Sequence, residues 1–317
     1  MDEPARRTFL HSAIAVGLGG ASTAQASSIP IVDTHVHLFD QTRPQGAPYS
    51  AAPRNTTPAL PARYRKLAAP LGIVSAIVVE ASPWIEDNLW ALQVAETDHI
   101  ITGIIGNLQP EKPEFREYLD RHRKNKLFLG IRYGNLWGYN LVQQLSNPVF
   151  IEGLKRLQDA GLTLDTANPR PDLLEAVLRL SDRLPGLRIV VDHLPALLWR
   201  LDAKARSGLE ATLRELARRP SVYVKVSAVM RMVDGKASTS PALYKPLLDQ
   251  VFEMFHEDRL VFGSDWPNAD AVDNLPAIVQ IARDYVRTRG TAAAEKLFWR
   301  NSIAAYRWVH RDPSQPR

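Results

Sequence analysis

Short, apolar, β-branched runs alternate along the chain with longer stretches in which apolar residues recur every three or four positions. The first pattern has the period of a buried strand and the second that of an amphipathic helix. Strands are predicted over residues 29–36, 73–81, 100–108, 127–134, 162–166, 187–193, 222–228 and 260–265. Helices are predicted over 60–70, 83–96, 113–125, 148–160, 171–184, 203–218, 241–256, 272–289 and 292–306, with long loops at 41–57 and 134–146. A strand followed by a helix, repeated eight times, builds parallel βαβ units and closes as a (β/α)8 TIM barrel, an α/β fold. An open doubly wound sheet would show a glycine-rich turn after its first strand. Here that turn is His37-Leu38-Phe39-Asp40.

In such a barrel the reactive side chains stand at the C-terminal ends of the strands. Strand side chains alternate, so His35 and His37 point to one side with Asp33 below them. Two imidazoles placed this way can chelate one divalent cation such as zinc. A half-buried, hydrogen-bonded histidine pair is the structural alternative. Strand two ends at Glu80, strand four at Arg132, strand six at Asp192-His193 and strand eight at Ser264-Asp265. Each has a structural reading too: Glu80 paired with Arg132, His193 satisfied by backbone, Asp265 capping a helix. Only a closed barrel brings them all to one point.

Strand seven adds a second signal. Val222, Val224 and Val226 share one face, whereas Tyr223 and Lys225 share the other, so Lys225 points into the barrel. The same alternation turns Asp165 inward on strand five. A buried lysine needs a carboxylate, either from the protein or from a substrate. Trp84, Trp137, Tyr139 and Trp266 fall on loops at the same rim, where they would stack on a substrate ring or cover the mouth.

Composition then narrows the classes. The 317 residues are 45% hydrophobic, enough for a large core. The net charge is +5, but no run of five or six basic residues occurs, so no nucleic-acid partner is expected. With no cysteine, disulfides, thiolate zinc sites and cysteine nucleophiles are excluded. At the N-terminus, Arg6-Arg7 precede Phe9-Leu10, a short run of small residues and then Ala24-Gln25-Ala26. This resembles a twin-arginine export signal over residues 1–26, too short and too rich in Gly and Ala to span a bilayer. It predicts a periplasmic mature domain over 27–317.

The segments "IVDTHVHLFD", "IVVDHLP" and "LVFGSDWPN" together resemble the amidohydrolase superfamily. They are most similar to its amidohydrolase-related branch of TIM-barrel hydrolases, which includes sugar lactonases and dicarboxylate lactonases. The likeness runs from about residue 30 to about residue 308. It implies that His35, His37 and Asp265 hold one divalent ion, zinc by expectation, although some relatives of this type work without a metal. It also implies that Asp265 handles the proton of the attacking water and that His193 orients or polarises the substrate or completes the metal shell. A bridging carbamylated lysine is not expected, because Arg132 and Tyr133 stand at the tip of strand four, and no histidine ends strand five.

The expected reaction is hydrolysis of a cyclic ester, a lactone of a sugar acid or dicarboxylate. Asp265 and His193 act on the bond, while Arg132, Lys225, Glu80, Asp165 and Trp266 hold the small-molecule substrate. The rivals are decarboxylation of an unsaturated or aromatic acid, hydrolysis of another ester or amide, and a noncatalytic exported binding protein for a sugar acid.

Overall fold

The computed structural model describes residues 29–51, 57–268 and 275–317. The leader expected over 1–26 lies outside these residues, as do parts of loop 41–57 and the start of helix 272–289. Ten strands are present among the described residues: β1 (Ile31–Val36), β2 (Ile73–Val79), β3 (Ile101–Gly106), β4 (Phe128–Arg132), β5 (Thr163–Asp165), β6 (Arg188–Val191), β7 (Val222–Val226), β8 (Arg231–Val233), β9 (Lys236–Ser238) and β10 (Leu260–Phe262). Eight of them form one parallel sheet in the order β1-β2-β3-β4-β5-β6-β7-β10, with helices between them. This is the predicted barrel, nearly closed.

The helices begin where the chain dictates. Pro61, Pro148, Pro171 and Pro241 each sit in a first turn, where a missing N–H costs nothing. The side chains of Asn147 and Asp202 cap two helix starts by accepting from Val149 N–H and Ala205 N–H. Between strands and helices lies the larger apolar layer, which holds Val222, Val224 and Val226 as the alternation predicted. A second apolar cluster fills the barrel interior: Val32, Ile77, Val79, Ile105, Leu129, Val190, Tyr223 and Val261, closed from below by Trp299, Tyr306 and Trp308.

The seam between β10 and β1 differs from the other strand interfaces. Seven interfaces are backbone ladders. At the seam, the segment after β10 reaches across instead. Asp265 N–H donates to His35 O at 2.8 Å, and His37 N–H donates to Trp266 O at 2.7 Å. Lower down, Thr34 Oγ1 donates to Phe262 O at 2.6 Å, and Asp33 Oδ1 accepts from Ser264 N–H at 2.8 Å. Gly263 permits this approach, because a Cβ there would lie 2.7 Å from His35 Cβ.

Three local features differ from expectation. A helix, Leu194–Arg200, begins directly after His193. The stretch between the predicted strand 222–228 and the predicted helix 241–256 contains the β8–β9 hairpin, turned by Asp234-Gly235, both at positive φ. The predicted helix 292–306 is split by a π-helical turn, Lys296–Arg300, that swings Trp299 under the barrel. No helix among the described residues is long and apolar enough to cross a membrane.

Candidate active site

Backbone geometry aims the side chains at the mouth. His193 follows β6, Ala228 follows β7 and Asp265 follows β10, all with left-handed φ of 55°, 51° and 63°. A non-glycine residue held there costs about 1–3 kcal/mol, a strain typical of functional turns.

The donor atoms converge. His35 Nε2 lies 3.2 Å from His37 Nε2, and Asp265 Oδ1 lies 3.3 Å from His37 Nε2 and 3.7 Å from His35 Nε2. Zinc–ligand bonds of about 2.0–2.1 Å at tetrahedral angles separate ligand atoms by about 3.4 Å. The three atoms therefore fit one face of a tetrahedral ion, and a divalent cation suits them. His37 Nδ1 is 2.9 Å from Val79 O. A proton on Nδ1 donated to that carbonyl leaves the Nε2 lone pair facing the donor triangle.

His193 completes the rim. Its ring lies 4.5 Å, centroid to centroid, from that of His35, and its Nδ1 is 2.7 Å from Ser227 Oγ. Asp265 Oδ1 also accepts from Asn268 Nδ2 at 3.1 Å, and Asn268 Nδ2 donates to Tyr49 OH at 2.6 Å. Burial alone would raise the Asp265 carboxyl, but His193, His37 and His35 around it hold it well below its ordinary value. Burial, reinforced by Lys225, holds His35 far below the ordinary imidazole value, and burial lowers His193 as well. The site thus sets an ionised Asp265 beside His35 and His193 held neutral, and a neutral imidazole is the state that metal ligation needs.

Beneath the donors lies a fully buried ionic layer. Lys225 Nζ is 2.8 Å from Asp165 Oδ2, 2.8 Å from Asp192 Oδ1 and 3.1 Å from His35 Nδ1. Tyr306 OH donates to the same Asp165 oxygen at 2.9 Å. Burial would lower the Lys225 ammonium, but Asp165 and Asp192 raise it above its ordinary value. Burial would likewise raise Asp192, but Lys225 and His35 pull it far down. Asp165 moves the other way: burial pushes it up to about 7 against the pull of Lys225. The Lys225–Asp192 contact is ionic in distance but poorly directed, and neither Asp192 oxygen has a well-formed hydrogen bond. Asp192 Oδ2 is 3.5 Å from His35 Nδ1. A proton carried on Nδ1 and turned to Asp192 would satisfy that carboxylate and aim Nε2 at the mouth.

The remaining predicted residues fall into distinct places. Arg132 Nε donates to Glu80 Oε1 at 2.7 Å, and its Nη2 donates to Glu80 O at 2.8 Å. Glu80 Oε2 accepts from Trp137 Nε1 at 2.8 Å. Glu80, Arg132 and Trp137 thus form one wall of the mouth. Trp266 requires a correction. It was expected to contact substrate at the rim, yet it is 0% exposed. Its backbone continues the seam by pairing with Val36, which turns the ring into the outer layer, 5.1 Å from both the Tyr64 ring and the Arg63 guanidinium. Lys225 and Asp165 are also 0% exposed and satisfy each other beneath His35. Asp192, Ser227, Asn268, Tyr49 and Tyr306 join the site without having been singled out as members. Asp192 carried the one available signal, since it precedes His193 at a strand tip.

The sequence model of the amidohydrolase family matches residues 32–308. The chain belongs to the amidohydrolase family. It is accordingly an enzyme of the hydrolase kind. Among curated relatives of this amidohydrolase, the L-fucono-1,5-lactonase of Burkholderia ambifaria is 27% identical over 248 residues, 74% of this chain and 80% of that one. The L-fucono-1,5-lactonase of Burkholderia multivorans is 25% identical over 246 residues, 73% and 79% of the two chains. A solved amidohydrolase from Burkholderia multivorans with bound zinc superposes with a TM-score of 0.76 at 21% identity, covering 88% of this chain and all of that one.

Proposed function

We propose that this amidohydrolase is a zinc-dependent lactonase that opens the cyclic ester of a sugar acid. The observation that carries the reading is the donor triangle of His35, His37 and Asp265, whose edges of 3.2, 3.3 and 3.7 Å match a tetrahedral face. Two imidazoles and a carboxylate suit zinc, and zinc is what the solved relative holds. When bound, such an ion supplies a Lewis acid for the ester carbonyl and a water that is nucleophilic at neutral pH.

The chain's own groups do the rest. With Oδ1 of Asp265 committed to the histidines and Asn268, Oδ2 is the oxygen that accepts the proton of the attacking water. Water oxygen bonds to the carbonyl carbon, the ring C–O bond breaks, and the proton passes from Asp265 to the leaving alkoxide. The product is the open-chain hydroxy acid. His193, steadied by Ser227, stands beside the reacting carbon to orient the carbonyl. Trp137 and Tyr49, whose ring centroids are 6.4 Å apart, wall the space above.

The paired cations favour a sugar lactone over a dicarboxylate. Arg132 and Lys225 were expected to grip a substrate carboxylate, but Glu80 neutralises the first, while Asp165 and Asp192 neutralise the second. Hydroxyl groups find acceptors and donors at such a mouth, whereas a second carboxylate finds both Arg132 and Lys225 already paired. The curated lactonase relatives point the same way. The twin-arginine reading of residues 1–26 stands beside this as a proposal, checked by cell fractionation after Arg6→Lys and Arg7→Lys.

The test is a lactone panel run on zinc-loaded protein. Sugar 1,5-lactones should be hydrolysed and dicarboxylate lactones spared. Asp265→Asn should lower kcat by about a thousandfold with the fold intact. His35→Ala should lose zinc by elemental analysis. Wild-type turnover in both variants would sink the assignment, and carbon dioxide release from an aromatic acid would replace it with decarboxylation.

A further inference from the structure

At the end of the barrel opposite the histidines, we infer a binding site for a small oxyanion of the phosphate class, built from Arg188, Arg259, Arg307 and Tyr223. Tyr223 and Lys225 share the inner face of β7, and Tyr223 is two residues nearer the floor. It is 9% exposed, and its hydroxyl is neither hydrogen-bonded within the described residues nor sealed from solvent. The phenol therefore ends in a donor that faces the outside from below.

Three arginines stand on the chain segments that border it. Arg188 opens β6 and is 8% exposed; its Nε donates to Ala305 O at 2.8 Å and its Nη2 donates to Gly161 O. Arg307, two residues beyond Ala305, places Nη1 3.4 Å from where a Cβ on Gly161 would stand. Arg188 and Arg307 thus flank the same turn. Arg259 precedes β10, whose Leu260 is in register with Val224, the neighbour of Tyr223. Its Nη1 donates to Arg219 O at 3.3 Å, and its Nε is buried without a partner.

No carboxylate among the described residues pairs with Arg188, Arg259 or Arg307. The contrast is local, since the adjacent Arg219 meets both Asp182 and Glu215. The like charges act on one another and on the phenol. Burial, with the charge of Arg307 added, pulls Arg188 down to about 10. Burial raises the Tyr223 phenol, while Arg188, Arg259 and Arg307 all act to lower it and no acid acts on it. A floor lined by N–H and O–H donors around like charges is complementary to an oxyanion, and planar guanidinium forks match its oxygens. Lys225 and its two carboxylates separate this floor from the mouth, so a ligand here does not compete with substrate.

The experiment uses the zinc-loaded full chain and inorganic phosphate as the probe, against sodium chloride at matched ionic strength. Phosphate should raise the Tm saturably above the chloride control, and calorimetry should give one binding event. In Arg259→Gln/Arg307→Gln the apparent phosphate affinity should fall by about tenfold or more. Without phosphate, that variant should keep its turnover and a Tm no lower than the parent, because like charges have been removed. Should the double variant fail to fold, Arg307→Gln alone, at an exposed position, should still weaken phosphate severalfold. Equal responses to phosphate and chloride would overturn the site. So would a phosphate response that survives the substitutions unchanged, which would place the ion at the zinc instead.

Discussion

Lys225 Nζ sits 3.1 Å beneath His35 Nδ1, and the two side chains belong to polar layers of opposite design. In the lower layer an ammonium lies between two carboxylates and a tyrosine donates to one of them, all inside the barrel. With both histidines protonated on Nδ1, the upper layer's two imidazole nitrogens and carboxylate oxygen are acceptors all, and they crowd within 3.7 Å of one another. Acceptors facing acceptors repel unless a cation or proton stands between them. The lower layer therefore finds its counter-charge within the protein, although Asp192 is poorly bonded, and the upper layer is complete only with what it binds. Buried charge serves both, but one layer uses it to hold a shape and the other to hold a ligand.

Breaking the lower layer should damage the fold most. Lys225→Met leaves Asp165 and Asp192 without their shared cation, and removing one partner of a buried ionic group costs about 3–5 kcal/mol. Urea unfolding should show that loss, and a variant as stable as the parent would refute the role of Lys225 as their shared cation. The same comparison can be sharpened by pH. Asp165 titrates near 7 in the folded chain, above its unfolded value. A raised carboxyl contributes stability that is full below its unfolded pKa of about 4 and is lost as pH rises through the folded value. Stability measured from pH 4 to 7.5 should therefore fall more steeply in the parent than in Asp165→Asn, and parallel curves would contradict the burial argument. The smallest effect belongs to the outermost member. Tyr306→Phe removes one hydrogen bond to Asp165 and should cost about 1 kcal/mol, with kcat changed less than KM-independent scatter in matched assays.

The two layers were unequally readable in the chain itself. His35, His37, His193 and Asp265 could be placed together because strand period and strand-end position are written in the local pattern. Inward alternation also put Lys225 and Asp165 inside the barrel and required a carboxylate for the lysine. That Asp192 would be its second partner depended on how far β6 and β7 stagger, and register across a parallel sheet leaves no mark on either strand alone. Tyr306 was invisible for a stronger reason. It lies in a terminal helix whose apolar spacing looked continuous, and the π-helical turn that sends it under the barrel breaks no periodicity. Trp266 was misplaced because a residue after a strand reads as loop, whereas here the chain continues the seam beside Val36. The hairpin at 231–238 did carry its signal, Asp234-Gly235, but its three-residue arms are too short to show alternation.

The seam between β10 and β1 joins catalysis to architecture. Asp265 and His35 are bonded through their backbones, and their side chains meet at the same donor triangle. A ligand that draws the two side chains together also fastens the cylinder at its weakest stave. Emptying the triangle should slacken the staves on either side before any others, so amide exchange along Val32–Val36 and Leu260–Phe262 would serve as a gauge of occupancy.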